Sequence, residues 1–258
     1  MTIKDKRDYW IVFNSFQKSR EKKYAPMIQR ALLAQKADFI NQYKAGQITV
    51  LNSAPMVEVI HSLYLDAAIV FGAKVLASLK QEKARMPMGF NYRMQQLIES
   101  YFGIDFLNLS TGISDTTKDI LMNVLIDAQA QGLGFDEIIR QLEKTELSKA
   151  RAAMIARTET VSSANHGAML GATESGLLVK KVWIATMDNR TRHDHSRVST
   201  EAIGYNEPFN VGGYDMQQPG DKGGKNGALR VPAKEIVNCR CAVAFEPQRD
   251  ANGRLIRS

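Results

Sequence analysis

The densest chemical cluster in this 258-residue chain is His193-Asp194-His195, with Arg192 immediately before it. Two imidazoles and a carboxylate suit metal-assisted phosphoryl chemistry, and a guanidinium matches phosphate in a bidentate grip. One function class follows: a metal-dependent phosphoesterase or nuclease using His193, Asp194 and His195. Such a site also needs carboxylates converging from other elements, and no motif here supplies them. Arg157 and Glu159 stand two apart on an expected helix and so face different directions. Each is expected in its own buried or interdomain ion pair, Glu159 with Arg190 or Arg192. Asp188 is placed to accept the backbone N–H of Arg190 or Thr191 in an Asx turn. The two cysteines, Cys239 and Cys241, are flanked by Asn238 and Arg240. On an apolar strand face such thiols most often act as small buried hydrophobes. His61 and His166 read as packing residues on helices. The glycine-rich stretch lacks the Lys-Ser/Thr ending of a phosphate-binding loop, which rules out nucleotide binding there.

The elements that must position these residues fall into two kinds. The first 150 residues read as helices. Tyr9, Val12, Phe13 and Phe16 recur at helical spacing, and Met27, Ala31, Leu32 and Phe39 continue the stripe past a break or kink expected at Pro26. Gly46 is a stop. Asn52-Ser53-Ala54-Pro55 starts a helix running to about Lys83, with Ile60, Leu63, Ala67, Phe71 and Leu79 inward. Arg85-Met86-Pro87-Met88-Gly89 reads as a loop. Ser114-Asp115 signals another start, before Ile120, Leu121, Val124 and Leu125. Gly132-Leu133-Gly134 ends that helix, Asp136 opens a short one, and Ser148 caps a helix from Lys149 to about Ser175 that Gly176 terminates. From Leu178 the character changes: Val179 to Thr186 is a β-branched and aromatic strand. Seven glycines follow, from Gly204 through Gly212, Gly213, Gly220, Gly223 and Gly224 to Gly227, in a long irregular connection. Cys239 to Phe245 is a closing strand. The fold class is therefore α+β: a mainly helical N-terminal part, then a small α+β module with a short, mostly antiparallel sheet.

Composition narrows the class further. Two cysteines one residue apart exclude a disulfide framework and suit a reducing compartment. The opening residues lack the apolar run of a secretory signal, so synthesis in the cytosol is expected. Met56 to Leu79 is the most apolar stretch, but Glu58, His61, Asp66 and Lys74 within it favour a soluble helix over a membrane span. The net charge of +7 is uneven, with 15 Lys/Arg against 8 Asp/Glu in residues 1–100. Lys18, Arg20, Lys22 and Lys23 form a basic run suited to DNA phosphate or an acidic protein surface.

In order and spacing, several motifs are distinctive together. They are Arg157-Thr158-Glu159 on a helix, Trp183 in a strand, Asp188-Asn189-Arg190-Thr191, Arg192-x-x-His195, a glycine-rich stretch and Asn238-Cys239-Arg240-Cys241. This set resembles the Mu F-like (SPP1 gp7-like) family of phage head-morphogenesis proteins, over about residues 110–246. The resemblance implies a minor head (capsid) protein without enzymatic turnover. It would be made in the host cytoplasm and carried in the virion head interior, near the portal. Its implied partners are the portal protein, the procapsid interior and, without sequence preference, double-stranded DNA during packaging or ejection; no membrane is implied. The expected domains are a helical docking domain at 1–109, the Mu F-like module at 110–246 and a loose tail at 247–258. Arg157, Glu159, Asp188, Arg190, Arg192, His195, Asn238, Cys239 and Cys241 are its structural motif residues. A family variant carries Cys-x-x-Cys where this chain has Arg192-x-x-His195. Here His193, His195, Cys239 and Cys241 are the available zinc ligands, since His-x-His and Cys-x-Cys on extended segments each project to one face. A toxin-like effector fused to a packaging module is disfavoured, because helices and the module account for both ends.

Overall fold

A computed structural model describes residues 3–80, 88–186, 188–198, 201–224 and 229–257. The expectations for Lys83, for Arg85, Met86 and Pro87 of the loop, and for Gly227 lie outside these residues. The fold is α+β. Helix α1 (Ile3–Lys44) is continuous through Pro26, where the sequence predicts a break or kink. A proline costs one backbone donor and crowds the turn before it, but Tyr24 and Ile28 on either side are fully buried. Their packing holds the helix through the defect. Gly46, at φ 74°, then ends the run as expected, its N–H bonding back to Tyr43 O.

Helix α2 (Ala54–Lys80) starts as predicted: Ser53 O accepts from Met56 and Val57, and Asn52 Oδ1 from the Ala54 N–H. By length and composition it could cross a membrane, though half of its most apolar window is buried within the protein. Helix α3 (Phe90–Ala130) runs straight past Ser114-Asp115, where a new start is predicted. The Ser114 hydroxyl caps nothing; it bonds back to Ser110 O at 2.7 Å and receives Gln35 Nε2 at 2.6 Å. Thr116 and Thr117 bond back to their own i−4 carbonyls in the same way. A hydroxyl satisfied inside the helix has no reason to end it. Helices α4 (Phe135–Lys144) and α5 (Lys149–Thr173) follow, with Gly176 at φ 64° closing α5.

The remaining elements are β1 (Val179–Ile184), α6 (His193–Arg197), β2 (Ile203–Gly204), β3 (Phe209–Val211), β4 (Tyr214–Met216), α7 (Ala233–Ile236) and β5 (Ala242–Pro247). The sheet order is β2-β1-β5, antiparallel throughout, with Val179 opposite Pro247 and Ile184 opposite Ala242; β3 and β4 form a separate hairpin. The last strand thus begins three residues later than predicted, leaving Cys239 and Cys241 in the connection before it.

The chain divides into two compact units, each assembled from segments that are separate in sequence. One comprises Met1–Glu21, Leu63–Tyr101 and Met154–Ser258, the other Lys22–Ser62 and Phe102–Ala153. The expected boundary at 109/110 falls inside α3, because the predicted start at Ser114 is absent. The first unit's core joins Phe13, Phe71, Trp183, Phe209 and Val243, with Phe13 and Phe71 edge to face at 5.1 Å. The second buries Phe39, Leu121, Leu125, Ile138 and Leu142. The described residues of the expected tail, 247–257, are not loose. Leu178 N–H bonds to Ile256 O, Gln248 N–H to Leu178 O, and Leu177 bridges Arg257, so unpaired backbone beside β1 is used up.

Candidate functional site: the motif cluster and a thiol–imidazole centre

All the motif residues lie in the first unit, where α5 meets the turn before β5. Arg157 grips Glu21 with two guanidinium nitrogens, at 2.6 and 3.0 Å, and donates a third bond to Asn238 Oδ1 at 2.8 Å. Asn238 sits at φ 60°, a left-handed conformation that asparagine tolerates, and its N–H is taken by Thr158 Oγ1 at 3.0 Å. Adjacent residues of the helix motif therefore hold the Asn-Cys-Arg-Cys turn, which explains why the two motifs occur together. Glu159 turns the other way. It accepts Tyr64 Oη–H at 2.5 Å and Lys222 Nζ at 2.9 Å, rather than the expected Arg190 or Arg192. Burial first, and then the Glu159 charge, push the Tyr64 phenol well above its usual range. Burial opposes the Lys222 charge, yet Glu159 outweighs it and the ammonium is held more firmly than in water.

Asp188 forms the predicted Asx turn, its Oδ1 accepting the Arg190 N–H at 3.0 Å. Its larger role is a two-point pair with Arg240, at 2.5 and 2.9 Å, joining the end of β1 to the Cys-Arg-Cys segment. The Arg240 guanidinium holds the Asp188 carboxyl far below the usual carboxylate range. A depressed folded-state value gives stability that is present above pH ~4 and lost as pH falls through the folded value. Asp188→Asn should thus cost about 1–2 kcal/mol at pH 7 and progressively less below pH ~4, as read by thermal melts at several pH values. An equal deficit at every pH would refute the ionic role. Arg192 spends Nη2 on Val237 O instead of on phosphate, whereas Arg190 is exposed beyond its 3.5 Å contact with Asp188.

His195 and the two thiols meet. Nδ1 of His195 lies 3.6 Å from Cys239 Sγ and 3.5 Å from Cys241 Sγ, and all three residues are buried. On the other ring nitrogen, Nε2 is 3.3 Å from Oε2 of Glu235, itself buried on α7. Trp183 presses edge-on against the imidazole at 5.5 Å. Gly212, at φ 59°, closes the back; a Cβ there would meet Asp194 Oδ2 at 3.1 Å and Glu235 Oε1 at 3.2 Å. The Cys239 S–H and then His195 lower the Cys241 thiol well below its ordinary value, while bonding to Cys241 and burial raise Cys239.

His193 does not join them. The segment is helical, not extended, so residues two apart diverge; His193 is exposed while His195 is buried. Of the zinc ligands expected from sequence, His195, Cys239 and Cys241 come together among the described residues, their ligand atoms within 4.8 Å of one another, and His193 does not. The same divergence separates the His193-Asp194-His195 trio required for phosphoryl chemistry. His166 stacks on Tyr101 at 3.9 Å and His61 meets Phe106 edge-on, both in packing roles as expected. On α1, Lys18, Lys22 and Lys23 are exposed. Arg20 instead pairs with Asp66 at 3.1 Å and lies over Phe16, which removes it from the basic face.

Sequence reasoning missed Tyr64, Lys222, Glu235 and Lys181. Lys181 is fully buried on β1; burial brings its ammonium down to about 8, and Gln217 accepts its protons at 2.7 and 3.0 Å. The Lys180-Lys181 pair was the available signal, since a strand must turn one of two neighbours inward.

Residues 119–244 match the family described as phage Mu protein F like protein. The minor head protein GP7 of Bacillus phage SPP1 is 26% identical over 244 residues, covering 91% of this chain and 74% of that protein. An NAD(+)–arginine ADP-ribosyltransferase, EFV, of Enterococcus faecalis is 34% identical over 131 residues, or 49% of this chain. The chain spans only a quarter of that relative's length. No solved structure matches. With the motifs interlocked as described, residues 119–244 form a Mu protein F like module, in a chain similar to a phage minor head protein along nearly its whole length.

Proposed function

We propose that this head protein docks on the portal during assembly in the host cytoplasm, stays in the head near it, and contacts DNA without sequence preference. The observation carrying this reading is the similarity to a minor head protein across 91% of the chain, which takes in the helical N-terminal part as well as the module. The chemistry agrees. Arg157, Asp188, Arg192 and Arg240 are spent on internal contacts, which suits assembly rather than turnover. The ADP-ribosyltransferase activity named for the Enterococcus relative is not carried over to a chain spanning a quarter of it.

Lys18, Lys22 and Lys23 are the proposed DNA contacts because they are exposed, whereas Arg20 is half-buried. Three phosphate contacts predict that affinity falls about 40-fold between 50 and 200 mM salt, independent of sequence. Replacing the three lysines with glutamate should abolish binding in a mobility-shift titration; salt-insensitive binding would refute the contact. Cross-linking mass spectrometry on purified procapsids tests the portal: cross-links to it are expected, and absence of the protein from procapsids and virions would sink the reading.

A further inference from the structure

The arrangement of His195, Cys239 and Cys241 is difficult to explain as hydrogen bonding alone. A ring nitrogen has either one lone pair or one N–H in its plane, so Nδ1 can serve one thiol well but not two. Yet the two sulfurs stand at nearly the same distance from it, 3.5 and 3.6 Å. Zinc–sulfur bonds of about 2.3 Å and zinc–nitrogen bonds of about 2.05 Å at a tetrahedral angle put sulfur and nitrogen about 3.6 Å apart. The spacing is that of a tetrahedron's edge.

A second observation comes from the far side of the ring. His195 Nε2 and Glu235 Oε2 are both buried, 3.3 Å apart, and neither has a hydrogen-bond partner among the described residues. If the ring proton sits on Nδ1, the Nε2 lone pair faces a carboxylate and both atoms stay unsatisfied. If Nδ1 binds a metal, the proton must sit on Nε2, which faces the Glu235 carboxylate at 3.3 Å. This is how a carboxylate commonly orients a metal-bound histidine. One change therefore turns two facing acceptors into a donor beside an acceptor.

We propose that His195 Nδ1 and the Cys239 and Cys241 thiolates bind one zinc ion, with Glu235 fixing the imidazole from behind and a water completing the tetrahedron. Binding releases the two thiol protons to solvent, and two thiolates neutralise the dication, so the buried unit carries no net charge from metal and ligands. The ion ties α6 to the segment before β5, reinforcing the link that Asp188 and Arg240 make nearby. The site stands independently of any portal or DNA contact.

The test uses the full chain, purified reduced and without chelator, and measured by elemental analysis. One zinc per chain is expected. Cobalt added to metal-stripped protein should give thiolate-to-cobalt charge transfer and tetrahedral visible bands. Glu235→Gln should lower zinc affinity 10- to 100-fold against a chromophoric chelator, as loss of an orienting carboxylate does elsewhere. Cys239→Ser with Cys241→Ser should abolish the cobalt spectrum; if that variant does not fold, the wild-type spectrum decides. Wild-type protein that holds no stoichiometric zinc and gives no thiolate–cobalt absorption would overturn the proposal.

Discussion

Gly167→Ala will destabilise this protein more than any other single-methyl change described here. Helices α2 and α5 touch backbone to backbone. A Cβ on Gly167 would lie 2.2 Å from Ala68 O and 2.4 Å from Ala68 Cα, and one on Gly171 would lie 2.2 Å from Gly72 O. From the other side, a Cβ on Gly72 would meet Gly167 O at 2.6 Å. Small residues four apart on each helix form the ridge and groove of this crossing. The obstacle is main chain, which has no rotamer to yield, so the helices must separate and open the core around Phe71. Overpacking ordinarily costs about 1–3 kcal/mol; here about 3 or more is expected, a fall in Tm of about 6–12 °C. Gly112→Ala is the control. It lies within α3 with open space around its Cβ and should gain about 0.5–1 kcal/mol from helix propensity. A Gly167→Ala protein melting with the wild type would show that the crossing is looser than its geometry indicates.

Glu159→Gln comes next, at about 3 kcal/mol. The carboxylate is 6% exposed and takes both Tyr64 Oη–H and Lys222 Nζ. Glutamine keeps the volume but leaves the lysine cation, itself 29% exposed, without its counter-charge. The loss should be strongly non-additive. Lys222→Met in the Glu159→Gln background removes the stranded charge and should recover most of the stability, as a double-mutant cycle on chemical unfolding would measure. Additive losses would mean that Glu159 acts through Tyr64 alone.

What could be read in advance follows from the range of each interaction. The caps at Ser53 and Ser148 and the stops at Gly46 and Gly176 depend on residues within a turn of one another, and they stand where predicted. The stripe Ile60, Leu63, Ala67, Phe71 and Leu79 is likewise local periodicity, and all five are buried. The motifs fared differently. That Asp188 to His195 and Asn238 to Cys241 meet follows from their co-occurrence, but their pairings do not. Glu159 chose Lys222 and Tyr64, residues 63 and 95 positions away, over the arginines expected from sequence.

Alone, the sequence determined the Mu F-like resemblance, the α+β class and most helix ends, because these rest on motif order, periodicity and short-range capping. The tertiary structure decided what long-range packing decides. Tyr24 and Ile28 carry α1 through Pro26, and an internal hydroxyl bond carries α3 past Ser114. A five-residue helix turns His193 outward and His195 inward. Glu235, which no motif marks, is placed behind that imidazole by α7. A histidine's ligand partners are set by which way its backbone segment turns, and an extended and a helical reading of His193-Asp194-His195 differ in little that a sequence records.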